Sequence, residues 1–151
     1  MGGLALPAAI DLGVTLSVEP ADALSIVSDA GDLSASVAAV VAELGEVQPC
    51  RGVLTSTLPL GAGLSSSAAV HVVLTLALGG LEGLELALVA QRAEQRALGV
   101  PSGILDQAAS ALGRDGHAVL LNFATLDFEH VPLPDGLAIV VVDSGVPRRN
   151  A

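Results

Sequence analysis

Three places in this 151-residue chain carry side chains whose type and spacing suit chemistry rather than packing alone. The first is Pro59-Leu60-Gly61-Ala62-Gly63-Leu64-Ser65-Ser66-Ser67-Ala68-Ala69, a strand end followed by a glycine turn, three serines and a helix start. Such a stretch makes an anion cradle. Gly61 and Gly63 let backbone N–H groups close on a ligand, the serine hydroxyls add donors, and the helix behind them presents the positive end of its dipole. Polyphosphate suits it. Because the chain has no Lys, a divalent cation must neutralise that charge, with a serine hydroxyl as one acceptable ligand. A plain glycine turn with a serine cap has the same composition. A nucleophilic serine is the rival reading, without a Gly-x-Ser-x-Gly elbow or a histidine at a telling spacing to support it.

The second place is Glu94. In a helix over 84–98, Arg92 and Arg96 lie one turn apart with Glu85 on their face, which reads as solvent-facing, while Glu94 points to the opposite, dry side. A carboxylate there needs a partner, either a metal ion or a buried Arg. The third place is Asp106, in the opening turns of a short helix over 103–112. Gly103, Ala109 and Ser110 around it are small and leave a hollow the size of a hydroxyl group. The helix start favours the ionised carboxylate, as a general base or an electrostatic anchor needs. An acidic residue at a helix start is also common without any function. His71 and His117, each flanked by apolar residues, read as core or strand-end histidines, and His130 lies on a hairpin face.

The elements that must position these groups are mixed. Segments 10–18 and 24–28 read as strands joined as a hairpin through Pro20, Ala21 and Asp22. Segment 33–44 reads as a helix, with Val37, Val40, Val41 and Leu44 on one stripe and Gly45 at its end. A strand over 53–58 meets Pro59, and helices over 67–78 and 84–98 stop at Gly79-Gly80 and Gly99. Ser102 is the candidate N-cap of the short helix and Gly113 its terminator. The period then changes, and 118–123, 126–131 and 137–142 predict three strands, the first two joined by a tight turn at Ala124 and Thr125. With no internal repeat or linker, the reading is one α+β unit, a mixed β-sheet packed against helices.

Composition removes several classes of function. Six Arg and no Lys stand against sixteen acidic residues, for a net charge of -10, so the usual attraction to nucleic acid or an anionic membrane is missing. The lack of Lys also excludes a Walker-type loop, a Schiff base and a lysine general base. One Cys and three scattered His make neither an internal disulfide nor a good metal set, and a reducing cytoplasm is the default location. The uncharged stretch 52–81 is interrupted by Pro59, glycines, serines and His71, too often for a membrane span. With two Phe and no Trp or Tyr, the core must be packed from Ala, Val, Leu and Ile.

Segment 59–69 resembles the phosphate-binding motif of the GHMP small-molecule kinases. Gly99-Val100-Pro101-Ser102-Gly103-Ile104-Leu105-Asp106-Gln107 resembles the segment that carries the catalytic Asp in the galactokinase branch of that family. Leu4-Ala5-Leu6-Pro7-Ala8-Ala9-Ile10-Asp11, Gly116-His117-Ala118-Val119-Leu120-Leu121 and Val142-Asp143-Ser144-Gly145-Val146 follow the family in the same order. Many members have Cys where this chain has Ser102 and Met where it has Leu105.

The resemblance implies an α+β fold of the GHMP kinase N-terminal-lobe type. It implies ATP phosphates cradled by Gly61, Ala62, Gly63, Leu64, Ser65, Ser66 and Ser67, and Mg²⁺ held by Ser67 and Glu94. Asp106 would face the anomeric C1 hydroxyl of a sugar, and Gly103 would touch that sugar. The implied activity of the complete enzyme is phosphorylation of galactose to galactose 1-phosphate by ATP. Another sugar, or a non-catalytic sugar or nucleotide sensor, are the alternatives. Residues 1–151 would be the central part of such a kinase, mostly its ATP-binding lobe, without the family's first and last motifs, and the chain by itself is expected to be inactive.

Overall fold

The computed structural model describes residues 2–29, 31–59 and 63–142. In chain order the elements are β1 (Leu4–Ala5), β2 (Val14–Pro20), β3 (Ser25–Ser28), α1 (Ser34–Leu44), β4 (Cys50–Ser56), α2 (Ser66–Gly79), α3 (Gly83–Leu98), α4 (Leu105–Leu112), β5 (His117–Asn122) and β6 (Phe128–Pro132). The strands form two three-stranded sheets, β2-β4-β3 and β1-β5-β6, and the helices pack against them.

The expected hairpin between 10–18 and 24–28 is not formed. Instead β4 lies between its two strands, antiparallel to β2 and parallel to β3, with α1 as the crossover from β3 to β4. The reason lies in what each strand can offer. Gly52 and Leu54 alternate with outward Arg51, Val53 and Thr55, so β4 buries one whole face and takes the centre. Pro20 has no N–H to give a ladder and belongs on an edge, where β2 stands. Residues 10–13 precede β2 and form no strand.

The predicted third strand over 137–142 is also absent. A strand needs a neighbour to bond to, and among the described residues none lies beside this run, whose Val140 and Val142 are 78% and 81% exposed. The turn after β5 is longer than two residues. It covers 123–127, with the Asn122 side chain accepting from the Ala124 N–H at 2.9 Å, the Asn122 carbonyl accepting from the Leu126 N–H at 2.7 Å, and Leu126 at φ 61°.

Helix α3 joins the two halves of the core. Through Ala93 it meets α1, α2 and the inner face of the first sheet, where Val40, Leu74, Leu16 and Ile26 pack. Through Ala87 it meets Ile104, α4 and β5, with Ala108, Leu112, Val119 and Leu121. No single helix among the described residues is long and apolar enough to cross a membrane, and α2 and α3 are bent by 116° at the break between them.

The outer face of α3 does not simply meet solvent. Arg92 Nε donates to Glu43 Oε2 at 2.9 Å, and Arg96 donates to Oε1 through Nε at 3.0 Å and Nη2 at 2.6 Å, tying α1 to α3. The bonds from Arg96 and then Arg92 hold the Glu43 carboxyl below its ordinary value of 4.5. Both arginines are half-exposed while the Glu43 side chain is 12% exposed, so Glu43→Gln should cost about 1 kcal/mol and either Arg→Ala about 0.5 kcal/mol or less. Because the folded-state value is lowered, this stabilisation is complete above pH 4.5 and is lost as pH falls through the lowered value. Urea unfolding of wild type and Glu43→Gln should therefore differ at neutral pH and converge on acidification; a pH-independent gap would show that charge is not the cause.

Candidate active site

Helix α2 begins without a cap. Its first bond runs from the Ala69 N–H to the Ser65 carbonyl at 3.1 Å, so the N–H groups of Ser66, Ser67 and Ala68 point out of the helix end with no intrahelical acceptor. No side chain caps them. The chain enters through Gly63 at φ 75° and Ser65 at φ 55°, ψ 38°, a left-handed conformation that an L-residue with a Cβ adopts at a cost of about 1 kcal/mol. Alternating handedness of this kind curls successive N–H groups into a concavity for an anion. Gly61 and Ala62, expected in the same cradle, lie outside the described residues.

A cleft of about 550 Å³ opens beside this helix end, lined by Gly63, Leu64 and Ser65, by residues of α2, by Asp106, Ala109 and Ser110 of α4, and by the segment 7–14. The cradle and Asp106 thus share one cavity. Asp106 is exposed and the only ionisable side chain among the described lining residues. Ser110, one turn further along, puts a hydroxyl beside it, so of the small neighbours expected around Asp106, Ala109 and Ser110 line the cavity and Gly103 does not. Ser66, Ser67 and Glu94 also lie outside the lining. The segment 7–14 was expected in part as strand; it serves as the cleft wall. A Cβ on Gly113 would stand 2.6 Å from Ala9 Cβ, so the glycine that ends α4 also lets this wall come close.

Glu94 is buried, as its place on α3 requires, but its partners among the described residues are neutral, not an Arg. Gln107 Nε2 donates to Glu94 Oε2 at 2.5 Å and Ser102 Oγ donates to the same oxygen at 3.2 Å. Ser102 is therefore not the cap of α4; Ile104 holds that position and no side chain caps it. The Ser102 carbonyl accepts from both Gln91 Nε2 and Gln95 Nε2, each at 2.8 Å. Gln91, Gln95 and Gln107 carried no role in the sequence reading. Their only local signal was amide side chains bracketing Glu94 and following Asp106.

The histidines behave as structural groups. His71 is buried with Nδ1 donating to the Ser67 carbonyl at 2.8 Å, and His130 Nε2 donates to the Leu112 carbonyl at the end of α4 at 2.7 Å. His117, at the start of β5, donates from Nδ1 to the Asp115 carbonyl at 2.8 Å.

A helix N-terminus without a side-chain cap, entered by a loop that lines the same cleft as Asp106 on an α+β scaffold, agrees with family comparison. Residues 32–114, more than half of the chain, match the family model of the GHMP kinases N terminal domain, and the chain belongs to that family. Within it the chain is similar to galactokinases. It is 35% identical to the galactokinase of Thermococcus kodakarensis over 99% of this chain and 49% of that protein. It is 44% identical to the galactokinase of Chloroflexus aggregans over 68% of this chain and 28% of that protein. The fold matches the crystal structure of Lactococcus lactis galactokinase complexed with galactose, with a TM-score of 0.76 and 27% identity, over 86% of this chain and 42% of that one. A mevalonate kinase from Staphylococcus aureus shares the fold at a TM-score of 0.52 and 23% identity. The chain spans about half the length of the first of these curated relatives and just over a quarter of the second.

The left-handed Ser65 gives the cradle a measurable signature. Ser65→Gly should raise stability by up to about 1 kcal/mol or leave it unchanged, whereas Ser65→Val, β-branched in the same conformation, should lower it by more than about 1 kcal/mol. Thermal unfolding of the two variants checks this; equal loss in both would mean that the serine side chain, not the backbone, matters.

Proposed function

We propose that this chain supplies the phosphate-binding and catalytic side of an ATP-dependent sugar kinase that converts galactose to galactose 1-phosphate. The observation that carries the reading is the shared cleft: a single described carboxylate, Asp106, lines the same cavity as Gly63, Leu64 and Ser65, the loop that enters the uncapped end of α2. The similarity to galactokinases, one of them in a structure complexed with galactose, supports galactose as the sugar.

In this reading the N–H groups of Ser66, Ser67 and Ala68, together with the loop Gly61, Ala62, Gly63, Leu64 and Ser65, bind the ATP phosphates. Asp106 removes or orients the proton of the anomeric hydroxyl, and most of the rate comes from alignment and charge stabilisation. Gly103, which does not line the cleft, has open space where a Cβ would stand, so a sugar reaching it would meet no side chain there. Ser67 and Glu94 are hard oxygen donors, chemically suited to Mg²⁺, and no described donor reaches the Ser67 hydroxyl or Glu94 Oε1. Among the described residues no group of three or more His, Cys, Asp and Glu could hold a metal unaided, so this pair would share the ion with the phosphates. Mg²⁺, when bound, supplies the positive charge that the lysine-free chain lacks. The single, free Cys50 suits a reducing cytoplasm.

The test joins the chain to the flanking segments of the Thermococcus kodakarensis galactokinase and follows galactose-dependent ADP release. Asp106→Asn should lower kcat by a factor of about 10² to 10⁴ while leaving ATP affinity within a few-fold. Near-normal turnover would remove Asp106 from the mechanism. The 151-residue chain alone should give no galactose-dependent ADP release, because no Arg or His lines the described cleft to balance charge on the transferring group. Release from the chain alone that disappears in Asp106→Asn would overturn this account of the charge balance.

A further inference from the structure

Glu94 is 6% exposed, and the described residues bring it no cation. Taking a carboxylate out of water is tolerated when a positive charge meets it; hydrogen bonds from neutral groups replace its water only in part. The two neutral donors here, Gln107 Nε2 and Ser102 Oγ, converge on one oxygen, Oε2. They fix the rotation of the carboxylate and leave Oε1 without a described donor. The Gln107 amide has no freedom in this. Its NH₂ must face the carboxylate, which strands its own Oε1 buried and unpartnered among the described residues, a cost accepted for the sake of that one bond. Ser102 is held just as firmly, its carbonyl taken by Gln91 and Gln95 from the turn of α3 that bears Glu94.

We infer that Gln107 and Ser102 are positioning residues that hold Oε2 of Glu94 so that Oε1 is presented to the divalent cation of the phosphate cradle. The inference rests on the kinase reading above and deepens it. Gln107 directly follows Asp106, yet one is buried against Glu94 and the other opens to the cleft, so a single turn of α4 sets the metal ligand and the reacting carboxylate in register. Partners of a metal ligand typically change metal affinity by 10- to 100-fold when removed.

The probe is Mn²⁺ in the presence of ADP, titrated into the 151-residue chain and read by the electron paramagnetic resonance of free Mn²⁺. Gln107→Met keeps the volume and removes the donor, and Ser102→Ala removes the second donor at a half-buried site. Both should raise the Kd for Mn²⁺, the first about 10-fold, and Ser102→Cys, with a weak S–H donor, should recover part of the loss. Urea unfolding run alongside should show Ser102→Ala close to wild type, which a merely structural role for the change in affinity would not allow. If Gln107→Met does not fold, Ser102→Ala and Ser102→Cys decide the matter. Weakened binding in Glu94→Gln with unchanged binding in the Gln107 and Ser102 variants would overturn the positioning role and leave the metal reading standing. Wild-type binding in Glu94→Gln would overturn both.

Discussion

The rest of the molecule depends on how closely three helices approach one face of α3. Ala87, Ala90 and Ala93 are fully buried there, and side chains this small let neighbouring helices pack closely. Each such contact buries less apolar area than a Phe or Leu would, so stability comes from close fit over many small groups. The same economy recurs where Gly79, at the end of α2, meets Leu44 at the end of α1, a point at which a Cβ would stand 2.6 Å from Leu44 Cδ2. Gln91, Gln95 and Glu94 on α3 reach Ser102, in the segment before α4, by direct hydrogen bonds.

From that packing the site acquires its two sides. The end of α2 is left uncapped and its loop is held in a left-handed turn, while α4 sits with one residue facing the cleft and the next facing α3. The cleft itself is mostly apolar, and Ser65, Asp106 and Ser110 are the polar side chains among its described lining residues. Hydrogen bonds from Gln and Ser side chains, rather than ion pairs, bind the interior of this region together, and the pairs of Arg92 and Arg96 with Glu43 lie on the outer face of α3.

The helices were legible in the sequence because their signals are local. Apolar residues at helical spacing and glycines at Gly45, Gly80 and Gly99, all found at positive φ in the C-cap position, mark α1, α2 and α3 to within one or two residues. The placement of β2 and β3 on either side of β4 was not legible, since the alternation in each strand says which face is buried but not which strand is its neighbour. The run 137–142 shows the same limit: its residue types favour a strand, and residue types alone cannot supply a partner. In the cleft, the loop residues Gly63 to Ser65 and Asp106, which line one cavity, were picked out by two short motifs. The partners of Glu94 were not, because Ser102 and Gln107 reach it only after the chain has turned back along α3.

The topology also orders the assembly of the molecule in time. Helices α2, α3 and α4 follow one another between residues 66 and 112 and touch their immediate neighbours, contacts that close small loops and form early. Joining β2 to β4 closes the loop from Pro20 to Cys50, 30 positions apart, and joining β1 to β5 brings Leu4 beside Asn122, nearly the whole described chain. The segment 7–14 hangs between those two slow pairings. The helical side of the cleft is thus built first and its opposite wall is laid down last, so a chain caught partway through folding would carry Asp106 and the open end of α2 on a bare surface, with no cavity between them and the wall that completes it.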